Sequence, residues 1–452
     1  GLLARSAELY RWASTAQLGT SAPLAAVALL GTGELAESRR VLTDPVGTDR
    51  PPTLQAGAES LMAQGMHESV TGSPTAALST LTRAAALLEP SGHSALLPDT
   101  PAALAGLVAL HVGHFDVAES VLDRAVACRL GGPLAMTRHR LLQAWSAMLR
   151  GDHGRAHALL RGSSVDEGRL EPRDELLAAA LQVGLARREG DLRALHEAWR
   201  RAREAIVRHP VDLLALLPLG ELIVGAARLR DQAWVAPHLA EAHALLDRLG
   251  NPVLWATPLH WQGLHAAITG QQPQEAKRHA EALSAAAQHG PYPAMLATAA
   301  RSWLQVMAGV IDAAAVESAA RGLHTAGLAW EGSRLAGQAA IRNPNRKEVS
   351  ALLALARGLH STTASNASTA NNPTAAGPSR AHSPTAAPLA TLTEREREIA
   401  TLLLESLTYK QIGERLFISA KTVEHHVARI RQRLGSDGRA ELLAQLRRVL
   451  GY

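Results

Sequence analysis

Between Gly31 and Gly309 the chain alternates apolar and polar segments at a nearly constant interval. A stretch rich in Ala and Leu ends in a short polar turn, and a second Ala-rich stretch follows. The turns fall at Gly31 (GTGELAE), Gly72 (GSPTAAL), Gly113 (GHFDVAE), Gly151 (GDHGRAH), Gly190 (GDLRALH), Arg230 (RDQAWVA), Gly270 (GQQPQEA) and Gly309 (GVIDAAA), 38 to 41 residues apart. Each period predicts two antiparallel helices. Glycine in the left-handed conformation ends the first helix at no steric cost, and Asp, Ser, Thr or Pro opens the second. Only Arg230 departs from glycine. Large apolar residues recur nine positions past the turn (Leu81, Leu122, Leu160, Trp199, Leu239) and six before it (Met66, Leu107, Trp145, Val224, Leu264, Trp303). One hairpin packs on the next at these positions. No single hairpin buries its apolar face, so about eight such units are expected to stack as an α-solenoid.

The arrangement resembles tetratricopeptide repeats, whose hairpins also pair a Gly-containing turn with small residues on the following helix. The period here is longer than that family's, and its aromatic signature positions are mostly absent. Residues 1–358 are expected to form this tetratricopeptide-like unit. Residues 359–390 are expected to be a disordered linker: Ser, Thr, Ala, Asn and Pro fill it, Arg380 is its one charge from 361 onward, and no apolar period runs through it. Such a segment buries too little surface to offset its ordering entropy.

Residues 391–452 change pattern again. Thr393 followed by Glu396 reads as a capping box, opening a helix that buries Ile399, Leu402 and Leu403. Ser406 and Leu407 make a break, Thr408 caps a second helix with Ile412 and Leu416 inward, and Phe417, Ile418 and Ser419 form a turn. A third helix is expected over Lys421–Leu434. There Val423, Val427, Ile430 and Leu434 are spaced 4, 3 and 4 residues apart, one buried stripe. The opposite face carries Lys421, Thr422, His425, Ala428, Arg429 and Gln432, with Glu424 at its edge. That face offers hydrogen-bond donors and acceptors for base edges, and Ala428 lets the helix lie deep in a major groove. Lys410, Arg431 and Arg433 are placed for phosphates. Glu424 reads equally as an acceptor from a cytosine amine or as a partner of a neighbouring Arg, and His426 flanks the stripe as a packing residue. A last helix, Arg439–Leu450, carries Leu442, Leu443, Leu446 and Val449 on one side.

This segment resembles the LuxR-type helix-turn-helix domain, in the family that also ends two-component response regulators. The resemblance rests on Leu392, Thr393, Arg395, Glu396, Glu398, Lys410, Ile412, Leu416, Ile418, Ser419, Thr422, Val423, His426, Ile430, Leu434, Gly435 and Arg439. It implies a four-helix domain that binds DNA as a dimer with the third helix in the major groove, and it aligns Glu424, His425 and Ala428 with base-reading positions. Ser406 stands where the family usually has Gly, and Ser436 where it usually has Val. Large LuxR-type regulators also place helical repeats before this domain, often after an ATP-binding domain.

Composition sharpens the picture in a few places. Hydrophobic residues make up 47% of the 452 and aromatics only 3%, which favours an all-α globular chain over strands. Net charge is +5 overall, and from Ala390 onward 11 basic residues face 8 acidic ones, too mild to point to nucleic acid without the motif. Cys128 is the single cysteine, so no intrachain disulfide forms and a reducing cytosol is expected. The most apolar run, Leu213–Val224, is broken by Pro218 and Glu221 and is too short to span a bilayer. The chain contains no G-x-x-x-x-G-K-[ST], so no such ATPase is expected within it, and its start at Gly1 rather than Met leaves open a longer parent. No G-x-S-x-G or H-E-x-x-H motif gives an enzyme residues to rest on. The pairs His153/His157 and His111/His114 lie at repeat turns without Cys or carboxylate support for a metal, so neither metal nor cofactor is expected. The eight Trp all precede the linker, where core packing is the default and a concave ligand surface the alternative.

The expectation is a cytoplasmic bacterial transcription regulator. Its repeats take an unknown effector or a protein such as RNA polymerase, and its C-terminal domain binds promoter DNA as a homodimer. The competing expectation is an interaction scaffold built on the repeats, with weak or non-specific DNA binding.

Overall fold

The computed structural model describes residues 2–12, 21–43, 53–91, 99–163, 170–369, 394–404, 407–409, 411–412, 423–424, 426–428, 430–431 and 439–450. Every regular element among them is helical, and they fall into two compact units, Gly1–Asn372 and Pro373–Tyr452. No helix among the described residues is long and apolar enough to cross a membrane.

In the first unit α1 (Leu2–Trp12) leads into a series of hairpins: α2 and α3 (Ala22–Gly31, Leu35–Thr43), α4 and α5 (Leu54–Thr71, Pro74–Leu88), α6 and α7 (Pro101–His111, Phe115–Ala127), α8 and α9 (Gly132–Arg150, His153–Arg161), α10 and α11 (Pro172–Glu189, Leu192–Arg208). Then come α12 and α13 (Leu216–Leu229, Gln232–Arg248), α14 and α15 (Val253–Thr269, Pro273–Ala286), α16 and α17 (Pro291–Met307, Ala313–Thr325). Each sequence-predicted turn lies at the junction of one of these pairs. A further hairpin, α18 and α19 (Ala329–Arg342, Arg346–Thr369), turns at Asn343–Asn345 and so breaks the 40-residue rhythm. Here Asn343 Oδ1 accepts from the Asn345 N–H at 2.8 Å, a side-chain turn that needs no glycine.

The helix openings follow from capping chemistry. Asp152, Asp191 and Asp312 accept from the N–H groups of Arg155, Ala194 and Ala314 at 3.0, 2.9 and 3.0 Å, while Pro74 and Pro273 open their helices from the first position. At the closings, Gly190 takes φ 75° and ψ 14°. Arg230 adopts the same left-handed state with φ 60° and ψ 35°, despite its Cβ. That conformation costs a non-glycine residue about 1 kcal/mol. Gly270 does not play this part: Gln271, at φ 56°, is the left-handed residue of its turn.

The periodic apolar positions form the core. Met66, Leu81, Leu107, Leu122, Trp145, Val224, Leu264 and Trp303 are sealed from solvent, Leu160 and Trp199 are buried, and Leu239 is half-buried against them. The repeats also close on one another. α14 packs against α4 and α6, and α18 packs against α8. Trp255 donates to Ser69 Oγ at 3.1 Å and lies 4.5 Å from the His111 ring, and Arg248 donates to the Thr32 carbonyl at 3.2 Å. Gly113 allows another such approach, because a Cβ there would sit 2.4 Å from the Tyr292 ring. A central void of about 30 Å³ is left among Leu110, Trp145, Leu216, Trp261, Tyr292 and Glu331, room for about one or two waters. The inner face is therefore mostly filled by the chain itself.

Two buried ionic clusters sit in this unit. In the first, Arg138 reaches Asp99 and Asp174 at 3.3 Å each, and Arg173 reaches Asp99 at 3.3 Å. In the second, Glu221 bridges Arg187 at 2.7 Å and Arg188 at 3.0 Å, and Arg188 continues to Glu331 at 3.3 Å.

Helix α19 runs through Thr369, so the first eleven residues of the expected linker, 359–369, are helical, and Leu359 is buried with Ala320 and Ala336. Ala, Ser and Thr tolerate helix once its start is docked. The rest of the expected linker lies outside the described residues.

Candidate nucleic-acid interface

The second unit is organised by one apolar stripe. Val423, Val427 and Ile430 are buried against Ile399, Leu402 and Leu403 of α20 (Glu394–Leu404), against Ile412, and against Leu442 and Leu446 of α21 (Arg439–Leu450). The 4- and 3-residue spacing that set this stripe in the sequence is what places it inward. Thr408 starts the second helix through a reciprocal capping box. Its N–H and Oγ donate to Gln411 Oε1 at 2.9 and 2.8 Å, while Oγ accepts from the Gln411 N–H at 3.4 Å. The partner Gln411 escaped the sequence reading, although the Thr-x-x-Gln spacing was its signal.

Helical backbone is described at Val423, Glu424, His426, Val427, Ala428, Ile430 and Arg431. With the stripe buried, Glu424, Ala428 and Arg431 come out exposed, and His426 is half-buried on the flank. At 100° per residue Glu424 and Arg431 share one edge of the exposed face, and Ala428 lies nearer its middle. The small methyl of Ala428 leaves that face low enough for the helix backbone to approach a groove floor. Lys410, Lys421, Thr422, His425, Arg429 and Arg433, the other members of the expected reading and phosphate set, lie outside the described residues. So do Leu416–Ser419, Ser406 and the capping residue Thr393; α20 itself begins at Glu394. Helix α21 has the expected bounds, with Leu442 and Leu446 buried and Leu443 half-buried.

The histidines weighed for metals have other neighbours. His157 Nε2 lies 2.8 Å from Glu189 Oε1 and His153 Nδ1 lies 3.8 Å from the same oxygen. His111 donates from Nδ1 to the Leu107 carbonyl at 2.8 Å, and burial holds it down to about pKa 4.

Residues 390–445 match the model of the GerE family, described as bacterial regulatory proteins, luxR family. The spore germination protein GerE of Bacillus subtilis (strain 168) is 45% identical over 58 residues, 13% of this chain and 78% of that protein. The DNA-binding transcriptional activator DevR/DosR of Mycobacterium tuberculosis (strain ATCC 25618 / H37Rv) is 44% identical over 54 residues, 12% of this chain but only 25% of that regulator. Across 77% of this chain and 98% of the other, the fold is similar to that of a Rap protein crystallised in complex with competence and sporulation factor, with a TM-score of 0.50 and 12% identity. That likeness is one of helical architecture alone. The buried stripe, the capped second helix and the matched segment converge on one conclusion: the chain belongs to the LuxR family of bacterial regulatory proteins and carries that family's DNA-binding helix-turn-helix domain at its C-terminal end.

Proposed function

We propose that the protein regulates transcription by binding a two-fold symmetric promoter site as a homodimer, while the helical-repeat unit receives the signal that controls this binding. Lys421, Thr422, Glu424, His425, Ala428 and Arg429 face the base edges, and Lys410, Arg431 and Arg433 face the phosphates. The observation that carries the reading is the exposed Glu424–Ala428 face opposite the buried Val423–Val427–Ile430 stripe, in a segment matched to a DNA-binding family. A helix so presented, with a methyl at its centre, suits the major groove. For the repeats, support comes from their fold, which is similar to that of a Rap protein crystallised in complex with competence and sporulation factor. The repeat unit takes a small effector, or hands the signal to RNA polymerase or another protein.

Footprinting the full chain on fragments selected from genomic DNA tests this. The expected result is protection of two symmetric half-sites. His425→Ala should weaken specific binding by about 1–3 kcal/mol while sparing the non-specific background. Salt-dependent binding with no preference among sequences would overturn it and favour the scaffold reading.

A further inference from the structure

The second ionic cluster has more cations than it can pair. Glu221 gives one oxygen to Arg187 and the other to Arg188, and Glu331 gives Oε1 to Arg188. Both oxygens of Glu221 are thereby committed, while Glu331 keeps a buried Oε2 without a hydrogen-bond partner, so two carboxylates stand against three guanidiniums. Arg334, on α18, stands beside them with no ion pair among the described residues. Its one side-chain hydrogen-bonding contact among the described residues is Nη1 to His265 Nδ1 at 3.4 Å. Its guanidinium lies 5.3 Å from the Trp303 ring and 5.5 Å from the Trp330 ring, and Arg187 and Arg188 lie 4.9 and 5.4 Å from the same Trp330 ring.

Arg187, Arg188 and the exposed Arg228 occupy last turns of α10 and α12, where the negative helix end favours a cation. Arg334 has no such help, since it sits in the N-terminal half of α18. Indole faces attract a guanidinium but accept none of its in-plane N–H groups. Arg334 is half-buried, so these groups remain within reach of a ligand. Burial and the neighbouring Arg187 hold it down to about pKa 10, a sign of a charge placed against its own stability. A half-buried cation with no ion pair among the described residues, set among like charges and beside indoles, suits an anion that arrives from outside.

We propose that Arg334, with Arg187 and Arg228 beside it, is the anion-recognition site of the helical-repeat unit and takes an oxyanion, a phosphate or carboxylate group of a small effector, at the half-buried Trp330 edge. The inference rests on the reading that this unit receives an effector.

Calorimetry and thermal melting of the full chain test it, with inorganic phosphate and citrate as separate probes against chloride at matched ionic strength. The expected result is saturable binding and a raised Tm with at least one probe. Phosphate alone marks a phosphoryl effector, citrate alone a carboxylate effector, and both a general oxyanion site. Arg334→Gln should weaken the probe by about ten-fold or more, and Arg193→Gln, on an exposed residue of α11, should not. Without probe, Arg334→Gln should leave Tm unchanged or raise it, since it relieves like-charge repulsion. No binding by either probe, equal binding by Arg334→Gln, or a fall in its probe-free Tm would overturn the proposal. Footprinting of the same samples is an independent readout, so loss of this site leaves the DNA-binding reading to its own test.

Discussion

The two buried ionic clusters of the repeat unit use the same residue types in opposite ways. Asp99, Arg138, Asp174 and Asp212 follow one another at nearly the repeat interval, the three acids at helix starts and Arg138 in the second turn of α8. Asp99 and Asp174 here meet Arg138 and Arg173, and Asp212 lies 3.8 Å from His209; burial pushes the Asp174 and Asp212 carboxyls up, and helix starts offset part of the excess negative charge. Asp99 accepts from the Thr100 N–H at 2.9 Å and Asp212 from the Leu214 N–H at 3.0 Å. Burial alone would push Asp99 up, but Arg173 and Arg138 outweigh it and hold it below the usual carboxylate range. Arg187, Arg188, Glu221, Glu331 and Arg334 instead join helices far apart in sequence and carry excess positive charge. The first cluster is a staple between successive repeats. The second exists only because the superhelix closes, and its charge is left open. Equal burial thus does not imply equal purpose; what separates the two is that the excess charge is negative and lies at helix starts in the first, and positive where distant repeats meet in the second.

The largest test removes the centre of the staple. Arg138→Met removes the one ion pair shown for buried Asp174 and leaves Asp99 to Arg173 alone, and should cost about 3–5 kcal/mol in denaturant unfolding. A loss near zero would mean that neighbouring repeats do not need the staple.

Acid comes next and acts on both clusters. His139 at the first is held by burial at about pKa 4, and burial lowers His265 beside the second well below its ordinary value. The unfolded chain therefore takes up protons below about pH 6.5 that the folded chain refuses, and stability falls as pH drops through that range. Glu221 adds a later phase. Burial opposes its ionisation, but Arg187 and Arg188 hold it at about 2. Its contribution is intact above its ordinary value of 4.5 and fades from there towards pH 2. Melting curves should lose a few kcal/mol between pH 7.5 and 4; a flat profile would contradict burial of neutral histidines.

A double-mutant cycle of Arg188→Met and Glu331→Gln separates closure from local pairing. Coupling of about 0.5–3 kcal/mol is expected, with hydrogen exchange rising in α18 before α10. Additive effects would leave the long-range ion pair without energetic meaning. The smallest expected change concerns the repeat register itself. Arg230→Gly should raise stability by about 1 kcal/mol by removing a left-handed non-glycine residue, and a decrease would show that the Arg230 side chain does something beyond the turn.

Much of the fold was legible because it is local and repeated. Helix pairs, their turns and the apolar positions before and after each turn depend on interactions within a few residues or between adjacent hairpins. The third helix of the DNA-binding domain was legible for the same reason, since the Val423, Val427 and Ile430 spacing alone separates an inner face from the outer face of Glu424 and Ala428. The turn at Asn343–Asn345 was missed because Asn side chains replaced the glycine signal, and the extension of α19 because composition resembling a linker continued a docked helix. Glu221, a lone carboxylate in an apolar run, was the one sequence sign of the second cluster, but nothing marked Glu331 or Arg334 as its neighbours.

By itself, then, the sequence determined an all-helical chain of stacked hairpins ending in a LuxR-type domain, because hydrophobic period and capping act at short range. Tertiary structure alone decided that the repeats close, that their inner face is filled by Trp145, Trp255 and Trp303, and that Arg334 stands beside Glu221 and Glu331 with no ion pair among the described residues. Those outcomes depend on small rotations between successive hairpins accumulating until helices far apart in sequence meet, a sum that no local pattern encodes.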